Sequence, residues 1–289
     1  MPDKIKIKSR VLTKPQKVTL KYIKPFFVGL FEGDGCISTQ KTSTLKSSPV
    51  LTLELKHLPE NISMLKQISG FIGGHVSKGR QGNRLFVKWR AVSKADVANC
   101  LKMFKKYPLL TSRKRLQLEH LQRCDLNTEW EFHLKTRDQR YDKQEEMVEI
   151  EKKSFVIPPY FGPWLSGFIE AEGCFHSQSG FGFSISRNTD WYILNAIKTY
   201  FDSHHKLSVH RRTNRRYSST HYVIQMGGFK VISLIIAHFK QYPLLGYKDV
   251  SFKAFCKYGT FEFSRKPNSK VLKRRKLKRA DSSDSPCPL

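Results

Sequence analysis

The sequence predicts an α+β fold built from one unit used twice. Residues 25–38 (PFFVGLFEGDGCIS) align without a gap on residues 163–176 (PWLSGFIEAEGCFH), so that apolar positions, glycines, acids and a trailing cysteine coincide. A second landmark, YPLL, recurs at 107–110 and 242–245, in the same order and at nearly the same displacement. Between these landmarks each copy passes from helical to period-two patterning and back. Ordered landmarks at matching displacement mark a duplication, and a duplication constrains the architecture before any motif is interpreted.

The first element of each copy is a helix, from Phe26 to about Asp34 and from Trp164 to about Glu172. Gly29 and Gly33 in one copy, and Gly167 and Ala171 in the other, stand four apart on one helical face. Small residues at that spacing let two backbones approach closely, so the two helices are expected to pack on each other as the seam between the halves. Gly35 and Gly173 are then expected to end them as C-cap glycines. Alternation follows: Leu51, Leu53 and Leu55 interleave with Thr52, Glu54 and Lys56, and Phe181, Phe183 and Ile185 interleave with Gly182, Ser184 and Ser186. Period two means half-buried strands with one wet face. Further strands are expected near 74–79, 84–92, 206–213 and 220–226, turning at G-x-x-G-N and T-N-R-R segments. Helical patterns occupy 60–70, 94–106, 112–123, 189–201, 229–240 and 248–257. Each unit therefore reads helix, two strands, helix, two strands, helix, helix. The expected organisation is a basic arm over 1–24, units over 25–124 and 161–264, and a polar linker over 125–160 that ends in Pro158-Pro159. A tail follows over 265–289, with nine basic residues between Arg265 and Arg279, expected to be disordered alone.

Composition narrows the function. Among 289 residues, 52 Lys and Arg against 24 Asp and Glu leave a net charge of +28, far beyond the magnitude of about 2 to 8 that solubility needs. A polyanionic partner is implied, with nucleic acid the first hypothesis. Hydrophobic residues at 39%, with 20 Phe and 11 Tyr, suffice for a sizeable core, which excludes a globally disordered basic chain. No stretch approaches the roughly 18 to 20 apolar residues of a membrane span, so no membrane partner is expected. The basic N-terminus lacks an apolar signal core and is poor in Ser and Arg, against both secretion and a transit peptide. Six cysteines contain no C-x-x-C pair, so neither a zinc ribbon nor a redox motif fits, and they read as reduced core thiols of an intracellular protein.

Each seam helix ends in two acids, Glu32 and Asp34 or Glu170 and Glu172. A carboxylate at a helix C-terminus faces the negative end of the dipole, at a cost of about 0.3 to 1 kcal/mol. If the helices pack together, Asp34 and Glu172 also converge and repel. Divalent cations resolve both problems, and oxygen donors of this kind suit hard ions such as Mg²⁺. Metal-assisted phosphodiester hydrolysis is the chemistry such a site supports.

FVGLFEGDG (27–35) and LSGFIEAEG (165–173) resemble the two motifs of a LAGLIDADG homing endonuclease of the single-chain, two-motif type, and the resemblance extends over about residues 20–258. It implies duplicated αββαββα units related by a pseudo-twofold axis, with the motif helices at the central interface and antiparallel sheets forming a DNA-binding saddle. It also implies a monomer that binds a long double-stranded DNA target and cuts both strands by metal-dependent hydrolysis, leaving short 3′ overhangs. Roughly two or three divalent ions are implied, Mg²⁺ with Mn²⁺ as a substitute. By the resemblance Asp34 and Glu172 bind them, with backbone carbonyls of Gly33 and Ala171 as added ligands. Glu32 and Glu170 are left to the helix ends and the interface. The family's basic residue after Y-P-L falls on Lys248 and, in the first unit, on Arg113, with Lys114 as a competing candidate. Its task is to stabilise charge developing on the phosphate. The resemblance further suggests a gene within an organellar intron, mitochondrial or plastid.

By the resemblance the wet strand faces of the saddle lie in the major groove, where every base pair shows a distinct pattern of donors and acceptors. Alternation nominates Ser38, Gln40, Thr52, Glu54, Lys56, Lys88 and Arg90 in the first half. In the second half it nominates His176, Gln178, Ser184, Ser186, His210, Arg212 and Gln225. Lys78, Arg80, Arg84, Arg215 and Arg216 are expected on loops, holding phosphates. Two other readings fit the same scaffold: a maturase that binds group I intron RNA, and a DNA-binding protein without chemistry. Retention of an acid in both copies favours the nuclease, since carboxylates beside a phosphodiester backbone are costly without metal.

Overall fold

Glycines at four-residue spacing decide the centre of the molecule. A computed structural model of the chain describes residues 19–126, 129–176, 181–214 and 217–264. In it helix α1 (Leu20–Asp34) lies directly against helix α7 (Phe161–Glu172). A Cβ on Gly29 would stand 1.9 Å from the carbonyl oxygen of Trp164, and one on Gly167 would stand 1.8 Å from that of Phe26. Only hydrogen fits at these crossings, so the backbones touch. Residues 25–32 and 161–170 are buried throughout. This is the expected seam.

The unit around α1 continues with β1 (Gly35–Lys41), β2 (Ser47–Lys56), α2 (Pro59–Ile72), β3 (His75–Gln81), β4 (Arg84–Ala91), α3 (Lys94–Lys106) and α4 (Ser112–Leu126). Two linker helices follow, α5 (Trp130–Thr136) and α6 (Gln144–Ser154). The second unit runs from α7 through β5 (Gly173–His176), β6 (Gly182–Asn188), α8 (Trp191–Tyr200), β7 (Leu207–Asn214), β8 (Tyr217–Gly227), α9 (Phe229–Gln241) and α10 (Tyr247–Ser264). Each unit holds one antiparallel four-stranded sheet, in the orders β1-β2-β4-β3 and β5-β6-β8-β7. The fold is thus α+β and duplicated, with the topology expected. One core runs through both halves: Trp89 stacks edge-on to Phe27 beneath the first sheet, and Phe175 meets Phe239, Phe252 and Phe255 beneath the second. Among the described residues no helix is long and apolar enough to cross a membrane.

Several local expectations need correction. Gly35 and Gly173 do stand at the C-caps of the two helices, but with φ of −78° and −76°, extended values and not the left-handed cap geometry, and each opens a strand. They are glycines for a packing reason: a Cβ would stand 2.5 Å from the Phe31 ring or 2.4 Å from Ile169 Cγ2. Helix α1 starts at Leu20, upstream of Pro25; the carbonyl that proline leaves without its helical donor is that of Lys21, an exposed residue. The turn after β3 is only Gly82-Asn83, with Gly82 at φ +57°, so Lys78 and Arg80 lie on a strand and not on a loop. Their partners Val87 and Leu85 place them on the opposite face from Lys88. Arg84 opens β4. Of the cysteines, Cys100 and Cys124 are core thiols, but Cys36 and Cys174 are exposed, because each follows a glycine at the start of a strand's wet face.

Candidate active site

The seam ends at the two acids. Gly33 and Ala171 meet at the crossing, where a Cβ on Gly33 would stand 2.3 Å from Ala171 Cβ and 3.3 Å from Glu172 Cγ. Asp34 and Glu172 therefore sit side by side at two converging helix C-termini. Asp34 still reaches solvent. Even so, desolvation by the packed helix ends raises its pKa to about 6, and the charge of Glu172 adds to the rise against the opposing charges of Lys248, Lys114 and Arg187. Two neighbouring carboxylates at the C-terminal ends of two helices form an oxygen-rich site of the kind that hard divalent cations occupy.

The earlier acid of each motif has a different task. Glu32 is fully buried and accepts hydrogen bonds from the backbone N–H of Leu110 (2.9 Å) and Thr111 (2.5 Å) and from Trp164 Nε1 (2.8 Å). Glu170 accepts from Lys248 N (2.9 Å), Gly246 N (3.2 Å) and, more weakly, Leu245 N (3.3 Å). Burial raises the pKa of both, and these N–H donors oppose the rise. Glu170 thus caps the first turn of α10 at the positive end of its dipole, and Glu32 holds the backbone of the two residues that lead into α4. The recurrent YPLL is the segment so held, which explains why it recurs at a fixed place. Capping also delivers the residues that follow it to the seam. In the first unit the side chain brought to Asp34 is Lys114: it is buried and donates from Nζ to the Gly35 carbonyl. Burial, the largest effect, lowers its pKa to about 8, with Cys36 opposing and Arg113 and Arg187 adding to the fall. Arg113 points elsewhere, exposed, with its guanidinium 5.2 Å from the Tyr141 ring centre.

Sequence reasoning missed Arg187. Its Nη1 lies 2.6 Å from Glu172 Oε1 and its Nη2 3.7 Å from Asp190 Oδ2, with the guanidinium 5.2 Å from the Phe168 ring centre. Asp190 in turn accepts from Ser112 N (3.1 Å), so the second unit also caps α4. A signal was present: Gly35 pairs with Leu53 and Gly173 with Ile185, so Arg187 occupies the inward position held by Leu55 in the first unit. A cation where the alternation calls for an apolar residue marks a buried acid nearby.

Both acids lead directly into strands with a wet face. On the first sheet Ser38, Gln40, Thr52, Glu54, Lys56, Lys88 and Arg90 share that face by register, and His75 and Ser77, not anticipated, join it opposite Arg90 and Lys88. The face carries its own network: Glu54 pairs with Lys88 (3.0 Å) and Arg84 (3.6 Å), and Arg90 donates to Gln40 (3.2 Å). On the second sheet His176, Ser184, Ser186, His210, Arg212 and Gln225 fall in the same phase, with His176 2.6 Å from Ser184. Gln178, Arg215 and Arg216 lie outside the described residues.

Comparison with known proteins agrees with this geometry. The family model described as LAGLIDADG endonuclease matches residues 27–122 and 165–259, once per unit. The chain is 32% identical over 248 residues to the probable intron-encoded endonuclease aI3 of Dictyostelium citrinum, covering 83% of this chain and 96% of that protein. Among solved structures, the LAGLIDADG meganuclease I-AabMI bound to uncleaved DNA superposes with a TM-score of 0.59 at 21% identity, over 89% of this chain and 98% of that one. I-SmaMI, bound to an uncleaved DNA target in the presence of calcium ions, superposes with a TM-score of 0.55 at 19% identity, over 93% and 100%. Those two likenesses show a shared fold. With one motif helix per unit, crossing at two acids, and a family match over each unit, this chain belongs to the LAGLIDADG endonuclease family as a single-chain, two-motif member.

Proposed function

We propose that the chain is a site-specific homing endonuclease that binds double-stranded DNA as a monomer and cuts both strands. The observation that carries this reading is the convergence of Asp34 and Glu172 at the end of the seam, each leading into a strand with a polar outer face. Asp34 and Glu172, with the carbonyls of Gly33 and Ala171, would hold the divalent ions, Mg²⁺ in the cell. When bound, such ions supply a water of lowered pKa and stabilise the leaving oxygen. Lys114 and Lys248 place positive charge beside Asp34, where a scissile phosphate would develop negative charge. Arg187 orients Glu172 through their ion pair. Arg113, exposed on the first turn of α4, is left to contact the DNA backbone.

The wet-face residues would read base edges, with Arg90 and Lys88 suited to guanine and Gln40 and Gln225 to adenine. Lys78 and Arg80, on the edge strand β3, and Arg84, beside the turn that follows it, would hold phosphates and set register. As the family resemblance implies, the two cuts would lie close together and leave short 3′ overhangs. Intron-encoded relatives make an organellar genome the expected home of the gene. The test is selection from a randomised library of DNA sites, with Mg²⁺ for cleavage and Ca²⁺ for binding alone. A single enriched site cut on both strands is expected. Binding without any cutting would leave a DNA-binding protein, and binding to intron RNA with no DNA selection would leave a maturase.

A further inference from the structure

Away from the seam, three side chains that neither the cleavage reaction nor the DNA faces use come together at one point. His120 and Cys124 stand one turn apart on α4, and His133 comes from linker helix α5. His120 Nε2 lies 3.2 Å from His133 Nδ1, Cys124 Sγ lies 3.4 Å from His120 Nε2, and Cys124 Sγ lies 3.8 Å from His133 Nδ1. All three residues are buried, at 4%, 0% and 5% exposure. From these residues we infer that His120, Cys124 and His133 form a structural zinc site that fastens the linker to the first unit.

The distances carry the inference. A tetrahedral zinc with Zn–N near 2.05 Å and Zn–S near 2.3 Å separates its ligands by about 3.3 Å for two nitrogens and about 3.6 Å for nitrogen and sulfur. The three observed separations bracket these values within about 0.2 Å. One thiolate and two imidazoles suit zinc and not Mg²⁺ or Ca²⁺, so the site would not compete with the seam for its ions. His120 Nδ1 makes no hydrogen bond, so the polar contacts of that ring lie on the cluster side alone. Thr39 Oγ1 hydrogen-bonds His133 Nδ1 at 2.7 Å, closer than two ligands of one tetrahedral ion stand, so it would hold the ring from outside and a water would fill the fourth position. Thr39 belongs to β1, the strand that starts beside Asp34, and Trp130 packs on His133 at 4.8 Å from the other side. The ion would thus tie together the strand leading from the first acid, the last helix of its unit, and the linker. The absence of C-x-x-C rules out a zinc ribbon but not a site gathered from a helix and a neighbouring segment.

The measurement is the zinc content of the full chain, prepared without a polyhistidine tag and dialysed against metal-free buffer. About one zinc per chain is expected for the wild type and for the Asp34→Asn, Glu172→Gln double variant, and less than about a tenth of that for Cys124→Ser and His133→Gln. Because a variant that unfolds also sheds its metal, the wild type is in addition loaded with Co²⁺. Tetrahedral cobalt absorption with a thiolate-to-metal charge-transfer band is expected. A wild type without zinc and without that band overturns the inference, as does zinc that persists in both folded variants.

Discussion

Glu172 Oε1 lies 2.6 Å from Arg187 Nη1, whereas Asp34, at the matching place on the other seam helix, has no ion pair among the described residues. The two acids are equivalent in the repeat and unequal in their surroundings. Arg187 offsets the charge that the second acid carries before any cation arrives. Replacing it by the residue of the first unit, as Arg187→Leu, removes the ion pairs of Glu172 and Asp190 and leaves Lys114 and Lys248 as the positive charges at the two acids. The loss in a chelating buffer is expected at about 2 kcal/mol, below the range for a wholly buried pair because Glu172 still reaches solvent. Urea unfolding with and without Ca²⁺ checks it: the gap from wild type should shrink when the ion takes over the neutralisation.

The raised pKa of Asp34 sets a pH dependence. The folded value is about 6, above the ordinary carboxylate value, so the metal-free folded state holds this proton where the unfolded chain has released it. Folding therefore loses stability as pH rises through the interval from about 4 to about 6. Asp34→Asn should be no more stable than wild type below that interval and more stable above it, by a modest amount since solvent screens an exposed acid. Thermal unfolding in chelator across that range measures this. A difference independent of pH would mean that Asp34 is not perturbed.

The crossing of the seam helices admits no side chain. Gly29→Ala or Gly167→Ala would drive a methyl into backbone at under 2 Å, and each should cost about 3 kcal/mol or more. Gly70, exposed inside α2 with nothing within 4 Å of a Cβ, supplies the contrast: Gly70→Ala should stabilise by roughly 0.5 to 1 kcal/mol. Denaturant midpoints of the three variants decide the matter.

The nine basic residues between Arg265 and Arg279 should serve affinity and not reading. Deleting residues 265–289 should weaken binding to every DNA sequence, and the slope of log affinity against log salt should fall by about 0.9 for each phosphate no longer neutralised. Titrations at several salt concentrations on cognate and scrambled duplexes check this; a changed preference between them would count against it.

The seam was legible because its demand is steric and local: small residues at i and i+4 say that backbones touch, and the aligned acids say where. The sheets were legible from period two. What stayed hidden depended on side chains from distant segments meeting. Neither the Glu32 clamp on Leu110 and Thr111 nor the capping of Ser112 by Asp190 can be seen in one stretch of chain, since their partners are about 80 positions apart in sequence. Offset alone pairs Lys248 with Arg113, but side-chain direction on the first turn of α4 brings Lys114 to Asp34 and turns Arg113 to Tyr141. Arg187 was readable in principle, as a cation in an apolar phase. Lys78 and Arg80 were misplaced because the turn holds two residues and not a longer loop.

The claim on which everything else rests is that Asp34 and Glu172 together perform the cutting. The direct measurement is Mg²⁺-dependent cleavage of the selected cognate duplex by Asp34→Asn and by Glu172→Gln, with each DNA strand labelled separately and binding measured in parallel in Ca²⁺. Each single variant should lose double-strand cleavage by at least about a thousandfold while still binding the same site. Double-strand cleavage persisting near the wild-type rate in either variant would contradict the claim.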